Sequence, residues 1–364
     1  MKWKSLFANL LLVLISIFLA LGLFEVFFRY IMPQDLIVPM PAVADQELIY
    51  KLPVNTKAYL KGTSVRWFHL ETNSLGLRDG EHELMKASGT TRILLLGDSM
   101  SMAEGVELAE TYIKQFQEKA NQQRLRTKIE TINAAIRGYG NDQEVVLFER
   151  VGMKFHPDLV ILAFFEGNDF DDNRRGGIFQ LKDRELIKTL PSAETSPKMR
   201  YYNQQIRIQN FPGYRLLVGH SHLVNFLRMK YASYLTRRSL QQDVPNQNQK
   251  ENEIDEADWQ LTTRILARWG EDCRKIKSIP LMLFIPDIKN IRTYKKGEPA
   301  NRKIDKRMND FAGANSILFV NLTDLFIRDP NADSLYLPDG HMSPLGHEKT
   351  AEEIIRFLRD NKIL

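Results

Sequence analysis

The chain has 364 residues, of which 43% are hydrophobic and 26% charged, values that suit one large α/β domain with insertions. Its formal net charge of +5 favours anionic surroundings, but no dense run of Lys and Arg and no nucleic-acid motif supports DNA or RNA binding. Cys273 is the only cysteine, which excludes an intramolecular disulfide and a cysteine-based metal site.

The first thirty residues predict a membrane-spanning helix. Lys2 and Lys4 precede an apolar stretch over 6–28 that is long enough to cross a bilayer. This basic flank predicts an amino terminus in the cytoplasm and the rest of the chain outside it. Glu25 and Arg29 are four residues apart and are expected to pair near the outer interface. A cleaved signal peptide is the alternative, but the apolar run continues past the small residues that would mark cleavage, which favours an uncleaved anchor.

After this anchor over 1–30, residues 31–90 form an extension whose turn-rich stretch 72–79 is expected to pack against the main domain. In the main domain, expected over 91–364, strand-like apolar runs alternate with helical patterns. This alternation predicts a parallel sheet with helices on both faces. The predicted strands are 92–96, 129–132, 159–165, 279–286 and 317–322, and the predicted helices are 110–124, 142–154 and 344–359.

A long insertion over about 174–256 separates the third and fourth predicted strands. Its last part, 241–256, is rich in Gln, Asn and Glu and is predicted to be a mobile surface segment. Residues 221–238 combine helical apolar spacing with basic side chains. Such a helix can cover a membrane surface or a binding site, although packing on the core is favoured. Because inserted loops often shape substrate pockets, the insertion is the segment expected to determine substrate specificity.

The tripeptide Gly97-Asp98-Ser99, at the end of the first predicted strand, suggests the position of a nucleophile. Residues just beyond the carboxyl end of a parallel strand face the crevice where open α/β sheets bind ligands. The following helical stretch would direct its positive amino end toward Ser99, while Asp98 is expected to stabilise the turn. A serine hydroxyl needs a base to take its proton, so this interpretation requires a histidine elsewhere in the chain.

Three further blocks occur at predicted strand ends or before the closing helix. They are Gly138 within 133–140, Gly167-Asn168-Asp169, and the stretch 339–347, which reads Asp-Gly-His-Met-Ser-Pro-Leu-Gly-His. In this order, the four blocks resemble the GDSL/SGNH hydrolase family, in the form of a membrane-anchored bacterial-type member. The resemblance covers roughly 91–173 and 256–364. It implies the SGNH hydrolase fold, a flavodoxin-like three-layer α/β/α sandwich with a parallel five-stranded sheet.

The resemblance also implies a role for each block in acyl transfer. Ser99 would attack an ester carbonyl, His341 would take and return the proton, and Asp339 would orient His341. The backbone amides of Ser99 and Gly138, with the side-chain amide of Asn168, would form the oxyanion hole. This chemistry requires no metal and no organic cofactor.

The last block departs from the family pattern in its spacing. Asp339 stands two residues before His341, whereas the family usually has three. Alternate residues of an extended segment point to the same side, so the pair can still meet. His347 is the rival base. Because the first histidine of this block is the catalytic one in the family, His341 is favoured.

Together these features predict a membrane-anchored serine esterase that hydrolyses acyl esters, acetyl esters above all, on envelope glycans or lipids. The predicted location is single-pass, with the catalytic domain outside the cytoplasm in the periplasm or at the cell surface. One alternative is an O-acyltransferase that uses the same Ser99 acyl-enzyme and passes the acyl group to an envelope polysaccharide. The other is a non-catalytic envelope scaffold, which would have no chemical need for the four blocks.

Overall fold

The computed structural model describes residues 2–61, 66–123, 127–242, 254–296 and 302–364. The chain divides into two compact units, which we call the helical unit and the sheet unit. The helical unit comprises Met1–Met40 and Arg207–Lys250, and the sheet unit comprises Pro41–Ile206 and Glu251–Leu364. Residues 31–40 and the middle of the predicted insertion therefore group with the predicted anchor.

The strands all belong to the sheet unit and are numbered along the chain. They are β1 (Val43–Asp45), β2 (Ile49–Lys51), β3 (Lys57–Lys61), β4 (Trp67–Glu71), β5 (Thr90–Leu96), β6 (Lys128–Asn133), β7 (Leu159–Phe165), β8 (Phe179–Lys182), β9 (Glu185–Lys188), β10 (Ile279–Ile285) and β11 (Leu318–Asn321). Five of them form the main sheet in the order β11-β10-β7-β5-β6, and every pairing in it is parallel. This is the flavodoxin-like order, in which the first strand lies between the second and the third. The predicted fold class is confirmed.

The helices are numbered in the same way. They are α1 (Lys2–Tyr30), α2 (Ser99–Met102), α3 (Tyr112–Gln122), α4 (Asn141–Arg150), α5 (Asp169–Gly176), α6 (Pro197–Gln209), α7 (Tyr214–His220), α8 (His222–Gln242), α9 (Glu256–Lys275), α10 (Ile288–Lys295), α11 (Lys303–Ala314), α12 (Thr323–Arg328) and α13 (Pro344–Asp360). One face of the main sheet packs against α3 and α13, with Phe116 and Ile354 in the shared core. The opposite face carries α4 and α9, which contact each other.

The sequence predicts the main strands closely because β7 is a continuous run of apolar residues and β5 ends in another, from Ile93 to Leu96. Such runs are typical of parallel strands covered on both faces, and from residue 92 onward every side chain of β5 is buried. The helical stretch predicted after β5 begins with a short helix, α2. It ends at Met102, since Ala103 adopts φ +65° and reverses the chain. Of the predicted mobile segment 241–256, residues 243–253 lie outside the described part of the chain.

Residues 41–90 of the extension belong to the sheet unit, and the turn-rich stretch 72–79 packs within this unit. Three antiparallel hairpins, β1-β2, β3-β4 and β8-β9, stand apart from the main sheet. Arg78 and Asp79, from the turn-rich stretch, are buried. The Asp79 Oδ2 atom accepts a hydrogen bond from the Asn133 amide at the end of β6 (2.7 Å). The turn-rich stretch is therefore fixed to the edge of the sheet where the candidate site lies.

In the helical unit, α8 packs against α1. The sequence correctly predicts a helix after residue 221, but it favours the core of the main domain as the packing partner. The contact found in the structure is with the predicted anchor, through stacked rings of Phe28 and Phe226 whose centroids are 4.3 Å apart. The predicted pair of Glu25 and Arg29 is also present, with an N–O distance of 3.0 Å.

Candidate active site

Ser99 lies at the carboxyl end of β5, as the first residue of α2. Asp98 caps this short helix, because its Oδ1 atom accepts a hydrogen bond from the Met100 amide at 2.8 Å. The Asp98 side chain is fully buried, and burial raises the pKa of its carboxyl to about 6. Ser99 is thereby held between a buried strand and a capped turn, with its side chain at the edge of the sheet.

The structure brings the predicted base to the predicted nucleophile. His341 Nε2 is 2.9 Å from Ser99 Oγ, although the two residues are 242 positions apart in the chain. On the other side of the ring, His341 Nδ1 lies 3.0 Å from Asp339 Oδ2. The three side chains form a continuous line from hydroxyl to imidazole to carboxylate. Such an arrangement can remove the proton of the hydroxyl as the oxygen attacks an electrophile.

A tight turn, and not an extended segment, allows Asp339 and His341 to meet across one residue. Gly340 adopts φ +91°, a backbone conformation that residues with a side chain rarely take. The turn is closed by the His341 carbonyl, which accepts a hydrogen bond from the Leu337 amide at 2.6 Å. Asp339 Oδ1 also accepts one from the His341 amide at 3.2 Å. The shorter spacing is therefore accommodated by the glycine between the two residues.

His347, the rival base, lies elsewhere and makes structural contacts. Its side chain is fully buried and stacks on Tyr112, and its Nδ1 atom accepts a hydrogen bond from the Tyr112 amide at 3.2 Å. Burial, with a smaller contribution from the Arg78 charge, lowers the pKa of His347 to about 3. Its neutral ring joins α13 to the start of α3. The 2.9 Å distance to Ser99 Oγ favours His341, and not His347, as the base.

Glu104 also lies at the candidate site, although no motif in the sequence marks it. Its carboxylate is buried, with Oε2 4.0 Å from His341 Nε2 and 3.2 Å from the Nε atom of Arg137. Burial lowers the pKa of His341, but the hydrogen bond of Asp339 and the charges of Glu104 and Asp98 outweigh it and raise that pKa above 6.5. A single acidic residue in a loop carries no sequence signal that distinguishes it from a solvated one, so only the folded chain reveals Glu104.

The guanidinium of Arg78 holds the turn that carries Glu104. Arg78 is fully buried. Its guanidinium carbon lies over the ring of Phe68, 4.9 Å from the ring centroid. It donates hydrogen bonds to four backbone carbonyls, and burial lowers its pKa to about 10. The acceptors, at 2.6 to 2.8 Å, are the carbonyls of Met102, Ala103, Val106 and His69. The extension therefore supports the loop beside the candidate nucleophile.

The two other predicted site residues lie at the same edge of the sheet. Gly138 follows β6 and has φ +72°, and a Cβ atom on it would be 2.6 Å from the Tyr202 hydroxyl. Asn168 follows β7, and its Nδ2 atom is 2.9 Å from Asp172 Oδ2 and 3.4 Å from Asp98 Oδ2. All four blocks singled out in the sequence thus converge on the carboxyl edge of the main sheet, where ligands bind in open α/β sheets.

Buried carboxyl groups lie next to this edge. Asn141 donates hydrogen bonds to Glu144 (3.2 Å) and Asp169 (3.0 Å), both fully buried. Burial raises the pKa of both carboxyls well above their usual range and that of Asp142 to about 7. Among the residues that the structure describes, no group of three or more His, Cys, Asp or Glu side chains is arranged to hold a metal ion.

No protein-family model matches the sequence, and no curated protein does so. The chain is similar to the solved structure of TesA, with 12% identity, a TM-score of 0.41, and coverage of 74% of this chain and 99% of that one. It is also similar to a lipase/acylhydrolase from Enterococcus faecalis (13% identity, TM-score 0.42, coverage 74% and 96%). A third similar structure is that of LAE5, an alpha/beta hydrolase enzyme from the metagenome of Lake Arreo, Spain (10% identity, TM-score 0.43, coverage 75% and 96%). At these identities and TM-scores the similarity supports no conclusion about function. The function is argued instead from the side chains of this chain.

Proposed function

We propose that the chain is an SGNH-type serine hydrolase that cleaves carboxylic esters. The observation that carries this proposal is the line from Ser99 Oγ through the His341 ring to Asp339, with distances of 2.9 and 3.0 Å. Acyl transfer needs a nucleophile, a base that then acts as an acid, and a group that orients the base. These three side chains have the geometry for those roles.

In the proposed reaction Ser99 Oγ attacks the ester carbonyl while His341 Nε2 takes its proton. The imidazolium that forms is stabilised by Asp339 at 3.0 Å and by the Glu104 carboxylate at 4.0 Å. His341 then gives the proton to the leaving alcohol, and an acyl group remains on Ser99. Water, deprotonated by His341, attacks the acyl-enzyme and releases the acid.

The tetrahedral intermediate carries a negative charge on the former carbonyl oxygen. We assign its stabilisation to the backbone amides of Ser99 and Gly138 and to the side-chain amide of Asn168. The support is their shared position at the carboxyl edge of the sheet, together with the resemblance to the SGNH family. Removing one such donor typically lowers turnover by about two to three orders of magnitude.

We further propose that α1 anchors the protein in a membrane, with the sheet unit outside the cytoplasm. Residues Trp3–Tyr30 form a helix with a mean hydropathy of 2.8 in its most apolar window, long and apolar enough to cross a bilayer. The amino side carries Lys2 and Lys4, and a basic flank favours the cytoplasm. Acyl esters on envelope glycans or lipids would then be the accessible substrates.

Labelling with a fluorophosphonate probe tests the proposed nucleophile. The full chain in detergent should react through an activated serine, and both Ser99→Ala and His341→Ala should abolish labelling. Lack of labelling in a well-folded wild-type protein would argue against nucleophilic catalysis and favour a scaffold. Adding an acetyl donor with either water or a glycan as acceptor then separates hydrolysis from acyl transfer, because both share the acyl-enzyme.

Glu104→Gln should shift the pH dependence of kcat/KM. Activity requires neutral His341, so it rises with pH through the pKa of this histidine in the free enzyme. Because the Glu104 charge helps to raise that pKa, its removal should move the acid limb to lower pH. The measurement is kcat/KM for an activated ester as a function of pH.

Two companion variants make the pH experiment specific. Arg137 lies 3.2 Å from Glu104 and offsets its charge, so Arg137→Gln should move the acid limb in the opposite direction, to higher pH. Asp339→Asn should lower the plateau itself by about 10⁴-fold, because it disturbs the tautomer and orientation of the base. An unchanged acid limb in Glu104→Gln would show that Glu104 does not act on His341.

Gly340→Ala should lower both stability and turnover. A Cβ atom here meets nothing closer than Ile288 Cγ2 at 3.9 Å, so the effect comes from the backbone, where φ is +91°. We expect a loss of about 1–2 kcal/mol in the free energy of unfolding. Gly313→Ala is the matched control, because its site in α11 has open space and no positive φ. That variant should be neutral or slightly stabilising in urea unfolding.

A further inference from the structure

The exposed length of α1 indicates where this helix would leave a bilayer. From residue 3 to residue 24, α1 has no buried side chain, and at about 1.5 Å per residue this stretch is about 33 Å long. The hydrocarbon core of a bilayer is about 30 Å thick. Glu25 is the first residue of α1 that is shielded by other parts of the chain, so α1 would leave the hydrocarbon near this residue.

Glu25 and Arg29 bind the junction between α7 and α8. The Glu25 carboxylate accepts hydrogen bonds from the Ser221 hydroxyl (2.7 Å) and from the His222 and Leu223 amides (3.1 and 3.0 Å). It thereby satisfies amides at the start of α8, which the helix itself leaves without partners. Arg29 donates a hydrogen bond to the carbonyl of His220, the last residue of α7, at 2.7 Å.

These contacts place α7 at the level where α1 emerges. Because α8 follows α1 outward, with Phe226 on Phe28 and Arg228 on the Ile37 carbonyl (2.7 Å), the end of α8 nearest to the bilayer is its start. The seven residues of α7 span about 10 Å. Whatever its tilt, the whole of α7 therefore lies within about 10 Å of the level of Glu25.

At this level apolar side chains are exposed. Leu216 and Leu217 of α7 are 65% and 48% exposed, and Tyr30 and Ile31 at the end of α1 are 75% and 72% exposed. We call these four residues the collar. The stretch 214–234 also contains three Lys or Arg residues and no acidic residue, which suits a surface of anionic headgroups. Exposed aromatic and apolar side chains next to basic ones are typical of the interfacial region of a bilayer.

We propose that α7 is an interfacial element that inserts the collar into the headgroup region of the membrane. The inference rests on the proposed membrane insertion of α1 and is independent of the proposed esterase activity. The lipid surface contacts the collar, while the Glu25 and Arg29 contacts hold α7 against the emerging anchor. The helical unit is thus anchored by one spanning helix and one helix lying at the surface.

Fluorescent probes on the full chain test this inference in vesicles of phosphatidylcholine and phosphatidylglycerol. NBD is attached to Leu217→Cys, to Leu14→Cys in the middle of α1, and to Leu190→Cys, an exposed leucine of the sheet unit. Cys273 is fully buried, and the wild-type chain checks that it does not react. Lipids carrying a nitroxide quencher near the headgroup or deep in the acyl chain then report the depth of each probe.

We expect blue-shifted emission and loss of intensity at 217 with the shallow quencher and at 14 with the deep quencher. The probe at 190 should keep aqueous emission and full intensity. If 14 is quenched while 217 behaves like 190, the collar is not in the lipid and the inference is overturned, although the anchor stands. Blue-shifted but unquenched emission at 217 also overturns it, because protein then covers the collar. If 14 is unquenched, the proposed anchor itself fails.

Discussion

His341→Ala should lower kcat for an activated ester by about 10⁶-fold, as large an effect as that expected of Ser99→Ala. Without the imidazole at 2.9 Å, the Ser99 hydroxyl keeps its proton and remains a weak nucleophile. The residues of such a triad act as one unit. The double variant Ser99→Ala/His341→Ala should therefore be no slower than either single variant, and steady-state kinetics of the three proteins measures this.

His347→Gln is the matched control for the loss of a histidine from the same block. The glutamine oxygen can still accept the hydrogen bond of the Tyr112 amide, which lies 3.2 Å from His347 Nδ1. We expect a loss of about 1–2 kcal/mol in the free energy of unfolding and an unchanged kcat for the folded protein. A large loss of kcat in folded His347→Gln, with activity retained in His341→Ala, would reverse the assignment of the base.

The sequence predicts most of the sheet because a buried parallel strand can be recognised from its own run of apolar residues. β7 is found at the predicted bounds, since Leu159–Phe165 is an uninterrupted apolar run and both of its faces are covered. Ser99 and His341 could be proposed because short motifs mark them, and their meeting follows from the rule that site residues gather at the carboxyl edge of such a sheet.

The sequence does not predict contacts that depend on the path of loops. Glu104 reaches His341 because the chain reverses at Ala103, a residue whose identity gives no sign of a positive φ. Asp339 reaches His341 through the turn at Gly340, where the spacing alone predicts an extended segment. The packing of α8 on α1 links residues almost two hundred positions apart, and no pattern within either helix identifies the other as its partner.

Arg78→Met should be the most destabilising substitution in the extension, with a loss of about 4 kcal/mol in the free energy of unfolding. Methionine fills a similar volume but leaves four carbonyl oxygens without the donors that Arg78 supplies. Each unsatisfied buried acceptor costs about 1–3 kcal/mol, and partial entry of water offsets some of the sum. Urea unfolding followed by far-UV circular dichroism measures the change.

Arg66→Met serves as the control, because it removes an arginine from the same extension. Arg66 pairs with Glu110 at 3.0 Å, but both side chains are more than a third exposed. Its loss should therefore lower the free energy of unfolding by less than about 1 kcal/mol.

Arg78→Met should also move the acid limb of kcat/KM to lower pH, because the turn that holds Glu104 near His341 loses its support. Equal stabilities of the two variants, with unchanged pH profiles, would show that Arg78 neither stabilises the extension nor positions Glu104.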